Sequence, residues 1–212
     1  MDALIAAAIH DAKNALMALD SQLTAAQCRP ASADFSTLRG SVFRIAGQLT
    51  ELLTLYRAQG QDTPLRLAID DHDLADFIDD LVTELGPLPA GITLAIDRAA
   101  ALQIGAWAFD AYLVKLALLD ALRNAMRHAR SRVTLTFAAH PQGGICFTVS
   151  DDGAGFPEPV LSGSIVPAGS GGTGLGLTFA RLIAERHATP AGRHGHVELA
   201  NTPGACLKLI LP

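Results

Sequence analysis

The chain has 212 residues, half of them hydrophobic and 17% charged, which is enough for one domain of ordinary size and a smaller one beside it. Sixteen basic residues against 21 acidic ones give a net charge of −5, which argues against wholesale wrapping of nucleic acid. The three cysteines, Cys28, Cys146 and Cys206, are widely spaced without a CxxC pair, which argues against a disulfide framework or a zinc site.

The longest apolar run, residues 101–122, does not have the pattern of a membrane span. Asp110, Lys115 and Asp120 interrupt it, so it is typical of a strand followed by an amphipathic helix. The N-terminus has Asp2 where a secretory signal has positive charge, and no clear cleavage site follows. The sequence therefore predicts a cytoplasmic protein with no membrane segment.

Two amphipathic helices are predicted in the first sixty residues. Apolar residues recur every three or four positions over residues 2–27 and again over 35–59. Pro30 stops the first helix, and Gly60 ends the second. One helical hairpin cannot shield so wide an apolar stripe. We therefore expect two chains to join their hairpins in a four-helix bundle.

A mixed α and β pattern follows from about residue 66. Strands are expected at residues 65–69, 92–97, 132–139, 144–152, 196–201 and 206–211, and helices at 73–85, 108–129 and after Gly174. The last strands follow one another in hairpin order, whereas helices separate the earlier ones. This order predicts an α+β sandwich in which helices cover one face of a mixed sheet. His187 lies near a predicted helix end, where a positive charge is favourable.

The stretch "VSDDGAGFP" places Asp151, Gly153 and Gly155 as D-x-G-x-G at the end of a strand. A carboxylate there can accept a hydrogen bond from an exocyclic amine, and the glycines let the backbone approach a planar ring. A simple surface turn is the alternative interpretation, because D-G pairs are common in turns.

A second glycine cluster, "GSGGTGLGLTFARLIAER", leads directly into a helix. Exposed amides at the positive end of a helix suit a polyphosphate. The alternative is a flexible loop before a helix. The cluster is neither a dinucleotide fingerprint nor a P-loop, since it lacks the βαβ unit of the first and the G-K-[ST] of the second.

A third motif, "LLDALRNAMRHA", lies in the predicted helix 108–129. Asn124, Arg127 and His128 are three and four residues apart, so they share one helix face. An amide oxygen can ligate Mg²⁺, and an arginine can meet phosphate. An ordinary solvated helix face is the alternative interpretation.

These motifs, in this order, resemble the Bergerat or GHKL-type ATP-binding fold shared by histidine kinases, DNA gyrase B, Hsp90 and MutL. The chain is most similar to bacterial two-component sensor histidine kinases. "RNAMRHA" matches the N box, "DDGAGFP" the G1 box and "GTGLGLTFAR" the G2 box, and "IHDAKNAL" falls where the H box belongs. The resemblance covers essentially the whole chain. It implies a dimerisation and histidine phosphotransfer hairpin over residues 1–62 and a catalytic ATP-binding domain over 66–212.

The resemblance also implies roles for three residues of the first helix. His10 would be the phosphoacceptor, because a neutral imidazole is nucleophilic at physiological pH. Asp11 would take the imidazole proton or orient the ring. Asn14, one turn beyond His10, would position water for dephosphorylation of the regulator.

In the second domain the resemblance implies a site for ATP and Mg²⁺. It assigns Asn124 to the metal, Asp151 to the adenine amino group, and Gly153 and Gly155 to the approach of the purine. The segment 156–171 would form an ATP lid. The remaining implied nucleotide neighbours are Arg127, His128, Gly172, Thr173, Gly174, Leu175 and Gly176.

The implied function is an ATP-dependent histidine autokinase that passes the phosphoryl group to an aspartate of a response regulator receiver domain. A phosphatase activity and input from a separate sensor protein are also expected. Two positions depart from the family pattern: Ala15 replaces a common proline, and Asp120 replaces a common asparagine. Two alternatives stay open. One is a histidine phosphotransferase whose kinase-like second domain does not bind ATP. The other is an anti-sigma-factor serine kinase, which would not need His10 or its hairpin.

Overall fold

The structure is a computed structural model that describes residues 2–28, 35–59, 65–163 and 175–212. The chain divides into two compact units, which we describe separately. The first contains two long helices, and the second contains residues 65–163 together with 176–212.

The first unit consists of α1 (Asp2–Cys28) and α2 (Phe35–Gln59), as predicted. The two helices pack against each other and bury Ala12, Ile45 and Leu55. Near the beginning of α2, the Ser41 hydroxyl donates a hydrogen bond of 3.1 Å to Gln22 Oε1, near the end of α1. This contact joins the helix ends that meet in an antiparallel hairpin.

The hairpin leaves a stripe of large apolar side chains exposed on each helix. On α2 these side chains recur at every seventh residue, and they are 47–72% exposed. A seven-residue repeat keeps apolar groups on one side of a helix, as in helical bundles. The stripe consists of Ile9, Leu16 and Leu23 on α1, and Phe35, Val42, Leu49 and Tyr56 on α2.

The other described residues form seven strands and five helices. In chain order these are β1 (Asp70–Asp73), α3 (Leu74–Leu85), β2 (Thr93–Ile96), α4 (Arg98–Ile104), β3 (Ala106–Phe109), α5 (Ala111–His128), β4 (Arg132–Ala139), β5 (Ile145–Asp151), α6 (Glu158–Leu161), α7 (Leu175–Arg186), β6 (His196–Asn201) and β7 (Ala205–Leu211). The five-stranded sheet has the order β2-β4-β5-β7-β6. Its β2–β4 pair is parallel and its other pairs are antiparallel. The predicted mixed α+β architecture is confirmed.

The core of this unit lies between the sheet and the helices. Helices α4 and α5 contact β4, and α3 packs on both helices. Phe77 of α3, Phe109 of β3 and Phe147 of β5 form an aromatic cluster with ring centroids 5.1–6.2 Å apart. Each fully buried phenylalanine contributes about 1.5–3 kcal/mol of transfer free energy. Burial of this one sheet face therefore fixes the position of α5 over the sheet.

Two predicted element boundaries are wrong. Residues 65–69 form no strand, and the strand follows at Asp70–Asp73, where Asp70 pairs with Phe109. The N–H of Ala68 instead donates to Asp110 Oδ2 over 2.9 Å. The predicted helix 108–129 begins only at Ala111, because Phe109 belongs to β3 and Asp110 Oδ1 caps the helix by accepting the N–H of Leu113.

The expectation of a positive charge at His187 is also wrong. The ring is buried, and its Nε2 accepts the N–H of Asp110 over 3.0 Å while its Nδ1 lies 2.7 Å from the carbonyl oxygen of Ile183. These contacts require a neutral ring that carries its proton on Nδ1. Burial lowers the pKa of His187, which also favours the neutral form.

Candidate functional site

Helix α5 carries the first group of predicted site residues. Its apolar side, including Leu118, Leu122 and Met126, is buried in the core. Asn124 is half-buried at the edge of that side, and none of the described residues makes a hydrogen bond to its side-chain amide. Arg127 and His128, in the last turn of α5, are exposed. The helix therefore presents a polar edge that ends in two groups able to contact an anion.

Asp151 lies at the end of β5 and is buried. Its Oδ1 accepts two backbone hydrogen bonds, from Gly153 over 2.7 Å and from Ala205 over 3.2 Å. Within the described parts of the chain, Oδ2 accepts none. The carboxylate is therefore held in place through one oxygen, while the other remains available as an acceptor.

Gly153 brings the D-x-G-x-G loop against the end of α5. A Cβ on this residue would overlap the carbonyl oxygen of His128 and approach Asp151 Oδ1 to 2.9 Å. A residue without a side chain is therefore required where the loop crosses the helix end. This crossing places the carboxylate of Asp151 at the same end of the unit as Arg127 and His128.

Asp152 ties the same loop to the α5–β4 connection. Its side chain accepts the three consecutive backbone N–H groups of residues 130–132 over 2.8–3.1 Å, and the Ser131 hydroxyl over 2.7 Å. These hydrogen bonds hold the pKa of Asp152 well below its usual range, and the one from the Ser131 N–H has the largest effect. Asp152 thus stabilises the loop, and Asp151 is the carboxylate of this pair that can accept a hydrogen bond from a ligand.

Gly155 and Asn201 form a close contact that sequence reasoning missed. Gly155 has φ of +85°, and a Cβ there would lie 2.6 Å from Cγ of Asn201. The Asn201 amide accepts the N–H of Phe156 over 2.7 Å and donates to its carbonyl oxygen over 3.0 Å. In the sequence, the one sign of this contact is an asparagine at the end of a predicted strand. That sign is weak, because the order of the strands in the sheet is not known from the sequence.

Gly176, in the first turn of α7, packs against α5 one turn before Asn124. A Cβ on Gly176 would overlap the carboxylate of Asp120. Burial raises the pKa of Asp120, although Arg123 and Arg127 act in the opposite direction. Helix α5 therefore contacts both glycine motifs, one at Asp120 and the other at His128.

Other predicted residues are described only in part. Gly172, Thr173 and Gly174 lie outside the described residues, whereas Leu175 is buried at the beginning of α7. His10 and Asp11 belong to α1, but their side chains lie outside the described set. Asn14 is exposed one turn further along α1. Of the predicted lid, the described part contains the short helix α6.

The described residues contain neither a metal-binding cluster of the usual side chains nor a membrane-spanning helix. No three histidine, cysteine, aspartate or glutamate side chains in these ranges are arranged to hold a metal ion. No helix in the same ranges has the length and apolar character to span a membrane.

The second part of the chain matches the profile of a known protein family. Residues 109–212 match the profile of the histidine kinase-, DNA gyrase B- and HSP90-like ATPases. No curated protein sequence matches the chain at a significant level.

Many solved structures have a similar fold. The histidine kinase AdeS of Acinetobacter baumannii is 16% identical with a TM-score of 0.54, over 95% of this chain and 96% of that one. The nucleotide-free catalytic domain of histidine kinase ThkA is 16% identical with a TM-score of 0.52, over 69% and 96%. Full-length ShkA, solved in complex with AMPPNP, is 17% identical with a TM-score of 0.53, over 82% and 37%. At sequence identities of 16–17%, these similarities show a shared fold.

Proposed function

Because residues 109–212 match the profile of the histidine kinase-, DNA gyrase B- and HSP90-like ATPases, we propose that this chain is an ATP-dependent histidine autokinase. It transfers the γ-phosphoryl group of ATP to His10 and then to an aspartate of a response regulator receiver domain. The observation that carries the proposal is the buried Asp151 carboxylate, which is anchored through Oδ1 and has Oδ2 available.

The geometry at Asp151 suits recognition of adenine. A carboxylate accepts hydrogen bonds and donates none, so Oδ2 matches the exocyclic amine of adenine and repels the 6-oxo group of guanine. Gly153 and Gly155 lack side chains, which lets the loop pack closely against His128 and Asn201 and holds its backbone beside this carboxylate. Burial of Asp151 strengthens a hydrogen bond made there.

Asn124 fits the role of a Mg²⁺ ligand. Its amide oxygen is a hard oxygen donor, half-buried and without a hydrogen-bond partner in the described ranges. A bound Mg²⁺ neutralises charge on the phosphates. Arg127 and His128, exposed one turn further along α5, would bind phosphate oxygens directly.

The beginning of α7 would bind the phosphate chain. The first N–H groups of a helix have no partner within it, and its dipole favours negative charge there. Gly176 supplies one of these amides, and Gly172, Thr173, Gly174 and Leu175 immediately precede it in the sequence. Positioning and charge neutralisation, which dominate phosphoryl transfer, would come from this arrangement.

The acceptor is assigned to α1. A ring nitrogen of neutral His10 would attack the γ-phosphorus; a P–N bond forms, the bond to the bridging oxygen breaks, and ADP leaves. Asp11 would accept the proton that the imidazole loses. Asn14, exposed on the same helix, would later orient water for a phosphatase reaction on the regulator.

The proposed enzyme is a homodimer through the helical hairpin. Large apolar side chains at Val42 and Leu49 are about half exposed in the single chain. A contiguous exposed apolar face of this kind marks an interaction surface. A second copy of the hairpin would cover it and complete a four-helix bundle.

Labelling with γ-labelled ATP tests the proposal. The unaltered chain should acquire acid-labile label, and His10→Ala and Asn124→Ala should not, whereas the control variant His140→Ala should label normally. Label that persists in His10→Ala would contradict the assigned acceptor. A chain that binds no nucleotide but accepts phosphate from a phosphorylated regulator would be a phosphotransferase instead.

A further inference from the structure

Asn201, the last residue of β6, makes a two-point contact with the loop that follows Asp151. Its Oδ1 accepts the N–H of Phe156 over 2.7 Å, and its Nδ2 donates to the carbonyl oxygen of the same residue over 3.0 Å. A side-chain amide that bonds both the N–H and the carbonyl of one residue fixes the orientation of that peptide segment as well as its distance from the amide.

We propose that Asn201 is a positioning residue for the nucleotide site, which holds the Gly153–Phe156 loop in the conformation that accepts a purine base. This inference rests on the proposed function, because it assumes that the base lies beside Asp151. Asn201 acts through the loop and is not assigned a contact with the nucleotide.

The β6–β7 hairpin supports both ends of this loop. Asn201 pairs with Ala205 across the turn, and the N–H of Ala205 donates to Asp151 Oδ1 over 3.2 Å. A Cβ on Gly204 would lie 2.6 Å from the same carboxylate oxygen. One hairpin end therefore holds the acceptor carboxylate through Ala205 and the following loop through Asn201.

The conformation of Gly155 explains why such support is needed. A glycine at φ of +85° has many other accessible conformations, and folding into this one costs more entropy than for other residues. The loop will leave the binding conformation if the two hydrogen bonds are removed. The apparent affinity for a ligand falls in proportion to the population of the competent conformation.

The test compares Asn201→Ala, which removes both hydrogen bonds, with Asn201→Asp, which keeps the acceptor and loses the donor. Leu199→Ala is the matched control, because Leu199 is a half-buried residue of the same strand whose side chain has no hydrogen-bonding group. Three quantities are measured on the full chain: the dissociation constant of ADP, amide hydrogen exchange at residues 153–156, and the melting temperature.

We expect Asn201→Ala to weaken ADP binding about fivefold. The two hydrogen bonds are exposed, and exposed hydrogen bonds stabilise a conformation by amounts at the low end of the usual range of free energies. Exchange at residues 153–156 should accelerate in Asn201→Ala, and Asn201→Asp should recover neither effect, because its second carboxylate oxygen would face the carbonyl oxygen of Phe156. In autophosphorylation assays, KM for ATP should rise while kcat stays within about twofold, because the loop does not contact the reacting atoms. Leu199→Ala should lower the melting temperature with little change in ADP affinity.

Unchanged ADP affinity and unchanged exchange in Asn201→Ala would overturn the inference. Equal losses of ADP affinity in Asn201→Ala and Leu199→Ala would overturn it too. Such a result would mean that Asn201 affects binding only through the overall stability of the domain. If the unaltered chain binds no ADP, the proposed function fails separately. The exchange rates of the loop then decide the inference: acceleration in Asn201→Ala supports the holding role, and no change overturns it.

Discussion

The backbone N–H of Asp110 donates a hydrogen bond to Nε2 of His187, with 3.0 Å between the two nitrogens. This contact joins the residue that caps α5 to the residue that follows α7. The carboxylate of Asp110 also accepts the N–H groups of Leu113 and Ala68. A neutral imidazole is therefore built into the junction that fixes the two helices of the candidate site.

Stability should fall as the pH drops below the ordinary pKa of histidine because of His187. Its pKa is lowered in the folded chain by burial, so the unfolded chain binds more protons in this range. Its stabilising contribution is fully present above pH 6.5, its ordinary pKa, and is lost as the pH falls from there towards the folded pKa. Thermal unfolding between pH 5 and pH 7.5 measures the effect.

The variant His187→Gln separates this effect from other titrations, because a glutamine oxygen can still accept the Asp110 N–H. Its melting temperature should depend less on pH in this window than that of the unaltered chain. His140→Gln, at a half-buried histidine after β4, serves as the control and should keep the original pH dependence. Parallel curves for the unaltered chain and His187→Gln would contradict the prediction.

Asp152 should produce a second pH dependence at lower pH. Hydrogen bonds from residues 130–132 lower its pKa from the ordinary 3.8. Its stabilising contribution is therefore present above about pH 4 and is lost as the pH falls below that value. Asp152→Asn should lower the melting temperature at pH 7 and flatten its fall between pH 4 and pH 2. Equal slopes for both proteins in acid would refute this assignment.

The sequence predicted α1, α2, α3, α5, α7 and the mixed sheet because these depend on local patterns, but it missed the short helices α4 and α6. Apolar periodicity identifies a helix, and glycines before a helix mark a loop, without knowledge of distant residues. Residues 109–212, which contain all three motifs, match the histidine kinase-, DNA gyrase B- and HSP90-like ATPase profile, in agreement with the ATP-binding fold that the motifs resemble. The predicted start of α5 was wrong because the side chain of Asp110 caps the helix and so sets its first residue.

Contacts between distant residues could not be predicted from the sequence. Asn201 reaches the loop after Asp151 because β7 lies between β5 and β6 in the sheet, and this order is not visible in local patterns. The contact of Gly176 with Asp120 likewise depends on how α7 packs on α5. His187 was misjudged for the same reason, since its hydrogen-bond partner is 77 residues away in sequence.

Asp151 Oδ2, which accepts no hydrogen bond from the described residues, predicts selectivity for adenine nucleotides. ADP should bind at least about tenfold more tightly than GDP, because an unpaired buried acceptor facing a carbonyl costs about 1–3 kcal/mol. Asp151→Asn should narrow this ratio, since an amide can donate to guanine. Calorimetric titration of both nucleotides measures it. Equal affinities in the unaltered chain would show that the base is not read by this carboxylate.

Charged substitutions on the exposed stripe should convert the proposed dimer to a monomer. Val42 is 52% exposed and Leu49 is 47% exposed, one heptad apart on α2. Val42→Glu with Leu49→Glu would place four carboxylates in the interface of two chains, where desolvation and like-charge repulsion oppose association. Ala18→Glu, at an exposed position on the opposite side of α1 from Ile9 and Leu16, is the control. Sedimentation equilibrium should give a dimer for the control and a monomer for the double variant.

The contact between Gly176 and Asp120 should make Gly176→Ala destabilising. A methyl group there would overlap the Asp120 carboxylate, and overpacking of this kind costs about 1–3 kcal/mol of unfolding free energy. Asp120→Ala in the same chain should relieve most of the loss, because it removes the overlapping atoms. Gly40→Ala is the matched control: Gly40 lies in α2 with open space around it, so alanine should stabilise the helix by about 0.5–1 kcal/mol. Urea unfolding of the unaltered chain, the two single variants, the double variant and Gly40→Ala measures these differences. Additive effects of Gly176→Ala and Asp120→Ala would mean that the two residues do not meet.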